Sequence, residues 1–199
     1  PGRILYAWCD HCNQSVIDAT QYNEPRKPGL QIIGVSGIYV KYITIHGAGM
    51  GTPACFGGHQ DTEIGLDLQN VKNSVFDTID LRENGTTDIR LLGDCDDNII
   101  RNVYLDGMIR DGDNEDRCGH RSREGILIDG GPRSCESGAG AYAERNKIFD
   151  SFTYHITRSI KLKYAKNTEI ANNAIHGVPS DERPETNAGN LWVEASDDT

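Results

Sequence analysis

The chain is poor in what several functional classes require. Only 2 of its 199 residues are methionine and 2 are tryptophan, and no apolar run approaches the roughly 20 residues of a membrane span. A membrane partner is therefore not expected. Cations are also short: Lys+Arg number 20 against 30 Asp+Glu, for a net charge of −10. That balance disfavours a nucleic-acid backbone as partner, and solubility alone also accounts for it. Nothing supports Ser-His-Asp nucleophilic catalysis, a phosphate loop, redox Cys-x-x-Cys chemistry or coiled-coil heptads. Cys9-Asp10-His11-Cys12 lacks the second Cys/His pair that a structural zinc site needs. What is abundant is glycine, 22 residues of it, which favours a turn-rich β protein over a helical one.

A repeat organises the rest. One short alternating strand recurs as Leu30-Gln31-Ile32, Leu66-Asp67-Leu68, Ile89-Arg90-Leu91, Ile126-Leu127-Ile128, Ile160-Lys161-Leu162 and Leu191-Trp192-Val193. Alternation means one buried face. A second strand recurs as Val40-x-x-Ile43-x-Ile45, Phe76-x-x-Ile79-x-Leu81, Ile100-x-x-Val103-x-Leu105 and Phe149-x-x-Phe152-x-Tyr154. Its fifth copy runs from Ile170 through an Asn-Asn corner to Ile175, with Asn173 in the middle apolar slot. The step from first to second strand is 10, 10, 11, 23 and 10 residues, so only the fourth copy carries an insertion, rich in Gly, Ser and Ala. Strands too short to bury a core singly, repeated at this spacing, indicate a β-solenoid. The register predicts two stacked apolar ladders: Leu30, Leu66, Ile89, Ile126, Ile160 and Leu191 in one, and Val40, Phe76, Ile100, Phe149 and Ile170 in the other.

The units Gly-Ile-x-Ile…Asn-x-Ile-x-x-Asn-x-Ile resemble coils of the right-handed parallel β-helix family, the pectate-lyase-like superfamily. The resemblance covers most of residues 29 to 195. It implies an all-β single domain over 1–199: a right-handed parallel β-helix of about six to seven coils, with long loops on one edge. Residues 1–28 form an irregular first coil in this reading and 29–195 the regular ones. No capping helix is recognisable at either end. The chain is therefore read as a processed piece, or as one whose ends associate with other subunits.

Six cysteines without zinc-like spacing suggest disulfides and a secreted protein. Cys95 and Cys135 both fall in the turn after the first strand, in consecutive coils. Neighbouring coils lie roughly 4.8 Å apart, within reach of a disulfide. Cys95–Cys135 is thereby favoured. Cys55–Cys118 requires two long loops to fold towards each other. Asn13-Gln14-Ser15 and Asn84-Gly85-Thr86 are candidate glycosylation sequons.

Long runs at 46–63, 106–124 and 176–189 follow the second strand, and in the resembled family such loops wall a cleft beside the first strand. Its candidate floor is the outward row Gln31, Asp67, Arg90, Leu127, Lys161 and Trp192, with Gln69, Asp129, Lys163 and Glu194 behind. A mixed row of this kind suits an acidic polysaccharide, since Arg and Lys hold carboxylates and an aromatic ring stacks on a sugar; an ordinary solvated sheet face explains the same residues. A polyuronate lyase needs a base and a carboxylate clamp, which Lys161, Lys163 and Arg90 could supply as a cationic cluster, with Asp67, Asp129 and Trp192 binding substrate. Asp111, Asp113 and Asp116 have the alternating oxygens of a Ca2+ loop without the flanking features of an EF-hand. A pectin hydrolase is a weaker fit. Thr86-Thr87-Asp88, Cys118-Gly119-His120 and Arg158-Ser159-Ile160-Lys161 resemble its motifs, but the paired aspartates that perform the reaction are missing. An epimerase lacks its Asp-Pro-His motif. The alternative outside enzymes is a structural or adhesive solenoid stacking end to end.

Overall fold

The computed structural model describes residues 3–6, 15–18, 28–48, 64–107, 124–131, 142–156, 158–177 and 191–194. Among them every regular element is a strand, there is no helix, and the strands pair in parallel. A first sheet takes Leu30–Ile33, Ile64–Gln69, Thr87–Leu92, Glu124–Asp129, Arg158–Lys163 and Leu191–Glu194 as neighbours in chain order. Leu30, Leu66, Ile89, Ile126, Ile160 and Leu191 stand in one register column across it. The middle members of this ladder are buried, and it packs with the second sheet's apolar residues into one core. Period two explains why: a strand shifted by one residue would turn its whole apolar set to solvent.

The second sheet is built from Ile38–His46, Val75–Arg82, the pair Ile99–Arg101 and Tyr104–Asp106, the pair Lys147–Phe149 and Phe152–Ile156, and the pair Glu169–Ala171 and Ala174–Gly177. Val40, Phe76 and Ile100 align as expected, but the next member is Ile148 rather than Phe149, followed by Ile170. In this copy the register runs one residue earlier than the spacing predicts. Ile148 is buried, whereas Phe149 stands opposite Arg101 and lies only half-buried. Phe152 likewise pairs with Tyr104, leaving Thr153 in the slot of Leu105. The large rings of Phe149 and Phe152 occupy outward positions opposite Arg101 and Tyr104, where hydrophobicity along the chain points to core. Replacing Ile148 by Ala should cost about 2–5 kcal/mol in urea unfolding, the range for a buried Ile. Phe149→Ala should cost clearly less, and the reverse order would overturn this register.

Arg3–Tyr6 and Ser15–Asp18 both pair with Ile38–His46, so the initial segment extends the second sheet. No described residue before Leu30 joins the first sheet.

Sharp corners recur at matching positions. Lys41, Asp77, Arg101, Phe149 and Ala171 form one column. The residue after each is left-handed: Tyr42 (φ 59°), Thr78 (54°), Asn102 (52°), Asp150 (48°) and Asn172 (56°). Asn and Asp tolerate this region, whereas Tyr and Thr adopt it at a cost that packing must offset. Inside another turn, buried asparagines replace missing backbone partners. The Asn98 side chain donates to the Val71 carbonyl (2.7 Å) and accepts from the Ser74 amide (3.2 Å), and Asn146 donates to the Cys95 carbonyl (2.7 Å). These bonds satisfy backbone groups that the turn would otherwise leave orphaned in the core. Glycine is required where the first strand begins. A Cβ on Gly65 would lie 2.6 Å from Leu81, and one on Gly125 would lie 2.6 Å from the Ser159 carbonyl.

Candidate functional site

The outer face of the first sheet carries the two rows expected from period two. Gln31, Asp67, Arg90, Leu127, Lys161 and Trp192 align across neighbouring strands. Gln69, Leu92, Asp129, Lys163 and Glu194 align behind them. For Trp192 and Glu194 only this register is described.

The rows are not a uniform floor. Asp67 accepts hydrogen bonds from Gln31 Nε2 (2.8 Å), Gln69 Nε2 (2.7 Å) and Arg90 Nε (2.9 Å). The Asp67 and Arg90 side chains are only 1% and 8% exposed. Burial by itself pushes the Asp67 pKa up, but the donors from Arg90, Gln31 and Gln69 more than offset it and hold the carboxyl below its ordinary value. Asp67 and Arg90 are thus an internal strut joining adjacent strands. Little of either side chain is exposed on the outer face of the sheet.

The more accessible cations lie two strands further on. Lys161 Nζ is 3.1 Å from Glu124 Oε1, and Arg158 Nη1 reaches the same oxygen at 3.4 Å. Lys163 Nζ lies 3.5 Å from Asp129 Oδ2. Leu127 stands between Arg90 and Lys161 in the row. Among the described residues, each cation of the cluster expected from sequence has a carboxylate beside it. Glu124 and Arg158 were not among the expected site residues. They sit two positions before the inward Ile126 and Ile160, where strict alternation would turn them inward. At the start of the strand that alternation fails: Ser159 is buried while Arg158 and Glu124 are half-buried and meet Lys161. Glu124 and Arg158 are also register partners, which is the signal that could have found them.

The opposite face, on the second sheet, is tied to itself. Asp77 accepts from Tyr39 Oη, Thr78 Oγ1, Arg101 and Asn102, spanning three neighbouring strands. The Tyr104 and Phe152 rings stack at 5.3 Å and 3°, and His176 follows Phe152 at 5.2 Å. These rings cover one another's faces, so the column is better suited to holding strands together than to stacking on a sugar.

Several expectations end at other places. Cys95 is a free thiol rather than half of a Cys95–Cys135 disulfide. Its sulfur points into the core, lying 3.4 Å from the Leu92 carbonyl and the Val71 amide, and burial pushes its pKa up. Cys135, Cys55 and Cys118 lie outside the described residues, as do Asp111, Asp113, Asp116 and most of the long loops. Among the described residues no group of three or more His, Cys, Asp or Glu is arranged to hold a metal. Asn84 is fully buried, bonded to the Ala48 amide (3.1 Å) and to Asp88 (2.9 Å). Its sequon is therefore out of reach of glycosylation in the folded protein. Asp88, which a hydrolase would need at the surface, is buried with it.

No family model matches this chain, and no curated protein sequence matches it. Among solved structures, an alginate lyase from Paenibacillus sp. str. FPU-7 is similar, with a TM-score of 0.55 and 15% identity over 90% of this chain. The likeness is one of fold. This chain spans 61% of the length of that lyase.

Proposed function

We propose that the parallel sheets form a right-handed β-helix of about six to seven coils that engages an acidic polysaccharide along its first sheet and cleaves it by β-elimination. The observation that carries this reading is the half-buried trio of Arg158, Lys161 and Glu124 beside Lys163 on the sheet's outer face. Two cations converging on a carboxylate oxygen have the chemistry that a uronate polymer requires. The fold shared with a protein named as an alginate lyase supports the same substrate class. In the proposed reaction Arg158 pairs with the uronate carboxylate, and the Lys161 amine acts as the base that removes the proton on the carbon bearing it. Those electrons form a carbon–carbon double bond, the glycosidic carbon–oxygen bond breaks, and the departing oxygen takes up a proton from water. Arg90 and Asp67 brace the strand that leads to the site, while Lys163, Asp129 and Trp192 extend it. Such polymers are met outside the cell, so a secreted protein is the matching location.

The test is direct. The protein is incubated with alginate, pectate and glycosaminoglycans, with calcium or with a chelator, and release of unsaturated ends is followed by ultraviolet absorbance. Calcium-dependent turnover would direct attention to Asp111, Asp113 and Asp116. Absence of such ends under every condition would overturn the lyase reading. A non-catalytic solenoid is the second reading, and one observation favours it. Leu191 and Val193 are 52% and 53% exposed on a strand whose outer edge has no partner among the described residues, a surface on which end-to-end association could build.

A further inference from the structure

We propose that Leu127 and Leu92 form an apolar floor on which a ring of the uronate polymer rests its C–H face, with its acid edge turned toward Lys161. The inference rests on the acidic-polysaccharide reading above and adds to it the residues that seat the sugar ring.

Three features carry it. Between the edge strands, the two outward rows hold Asp67, Arg90, Leu127 and Lys161 in one and Gln69, Leu92, Asp129 and Lys163 in the other. The leucines are the apolar members of these rows, and they stand on neighbouring strands, Leu92 diagonally from Leu127 on the same face. The core beneath is complete without them: Ile89, Leu91, Ile126 and Ile128, on the same two strands, are fully buried on the inward side. Leu92 and Leu127 are half-buried, so each keeps some apolar surface accessible. Finally, the pair is bordered by charge. Arg90 precedes Leu127 in its row and Lys161 follows it, while Asp129 and Lys163 follow Leu92. A pyranose has the same division, with C–H groups on its face and hydroxyl and carboxylate oxygens around its rim. Ligand sites combine an apolar surface with a few placed polar groups in this way. Neighbouring strands lie roughly 4.8 Å apart, so a ring seated on Leu127 is one strand from Lys161. The floor thereby fixes which carbon of the ring faces the amine. Leucines that served only to hold strands together would, on removal, change unfolding and leave affinity alone.

Isothermal titration of a tetramer of mannuronate or galacturonate into Lys161→Ala protein, in which cleavage is suppressed, gives the reference affinity; if only wild type binds, the same variants are compared there. Adding Leu127→Asn should weaken binding about tenfold. The factor should be the same at low and high salt, because no charge is removed. The heat-capacity change of binding should also become less negative, the mark of less apolar surface buried. Leu127→Met keeps that surface and should restore the reference affinity, while Leu92→Asn should weaken binding about threefold or more. If Leu127→Asn loses its cooperative melt, Leu127→Ala serves instead and should weaken binding in the same way. A folded Leu127→Asn or Leu127→Ala protein that binds the tetramer with the reference affinity and heat-capacity change would overturn the apolar floor and leave the functional reading standing. No binding by wild type or by the Lys161→Ala protein would overturn the functional reading itself.

Discussion

Replacing Asp77 by alanine should destabilise the fold by about 3–5 kcal/mol, the range for removing one partner from a buried charged network. The side chain is 3% exposed and draws together four donors. Tyr39 Oη lies 2.7 Å away, Arg101 Nη2 2.9 Å, Asn102 Nδ2 2.9 Å and Thr78 Oγ1 2.9 Å. Alanine would leave these donors facing a cavity, and partial exposure of Arg101 would relieve only one of them. The same residue makes stability depend on acid. Burial pushes the Asp77 pKa up, but the bonds from Asn102, Tyr39, Thr78 and Arg101 outweigh it and hold the carboxyl far below its ordinary value of 3.8. A folded-state pKa below the unfolded one adds stability that is fully present above about pH 4 and lost as pH falls toward the folded value. Asp67 acts in the same direction. Urea unfolding of wild type and Asp77→Asn should therefore differ most near neutral pH, and the gap should narrow below about pH 4. A gap that stayed constant through the acid range would show that Asp77 contributes through shape rather than charge.

Replacing Lys161 by alanine should reduce release of unsaturated ends by about 10²–10⁴-fold, the usual contribution of a positioned general base. The fold should survive, because Lys161 is half-buried on the outer face and its loss leaves Glu124 still in contact with Arg158. Unfolding free energy should change by about 1 kcal/mol or less, which separates a chemical defect from a folding one. Lys163→Ala makes the comparison sharper. Lys163 is on the same strand and paired with Asp129, but it is two residues further along and 33% exposed. It should lower apparent affinity more than turnover. Full activity in a folded Lys161→Ala protein would remove Lys161 from the reaction and transfer attention to residues in the long loops.

The sequence by itself determined the first sheet. Its alternation of one apolar and one polar residue was regular enough that Leu30, Leu66, Ile89, Ile126, Ile160 and Leu191 could be aligned, and the parallel pairings bear that column out. The outward rows followed at once, since period two leaves them no other face. Only the tertiary structure decided what each outward residue does. Whether Asp67 faces a polymer or Arg90 depends on which side chain lies one strand away and how deeply the pair is covered. Composition carries no record of that depth. The copy misaligned at Phe149 failed for a related reason: a ring can be covered by Lys147 and its strand neighbours on an outer face, where hydrophobicity alone would assign it to the core. Cys95 shows the same limit, because its turn position was legible but the inward direction of its sulfur was not. Glu124 and Arg158 were hidden because the strand's alternation breaks at its first residues. Periodicity is a local property of the backbone and can be read along the chain, whereas pairing, burial and charge balance arise between strands that are 20 or more residues apart in sequence.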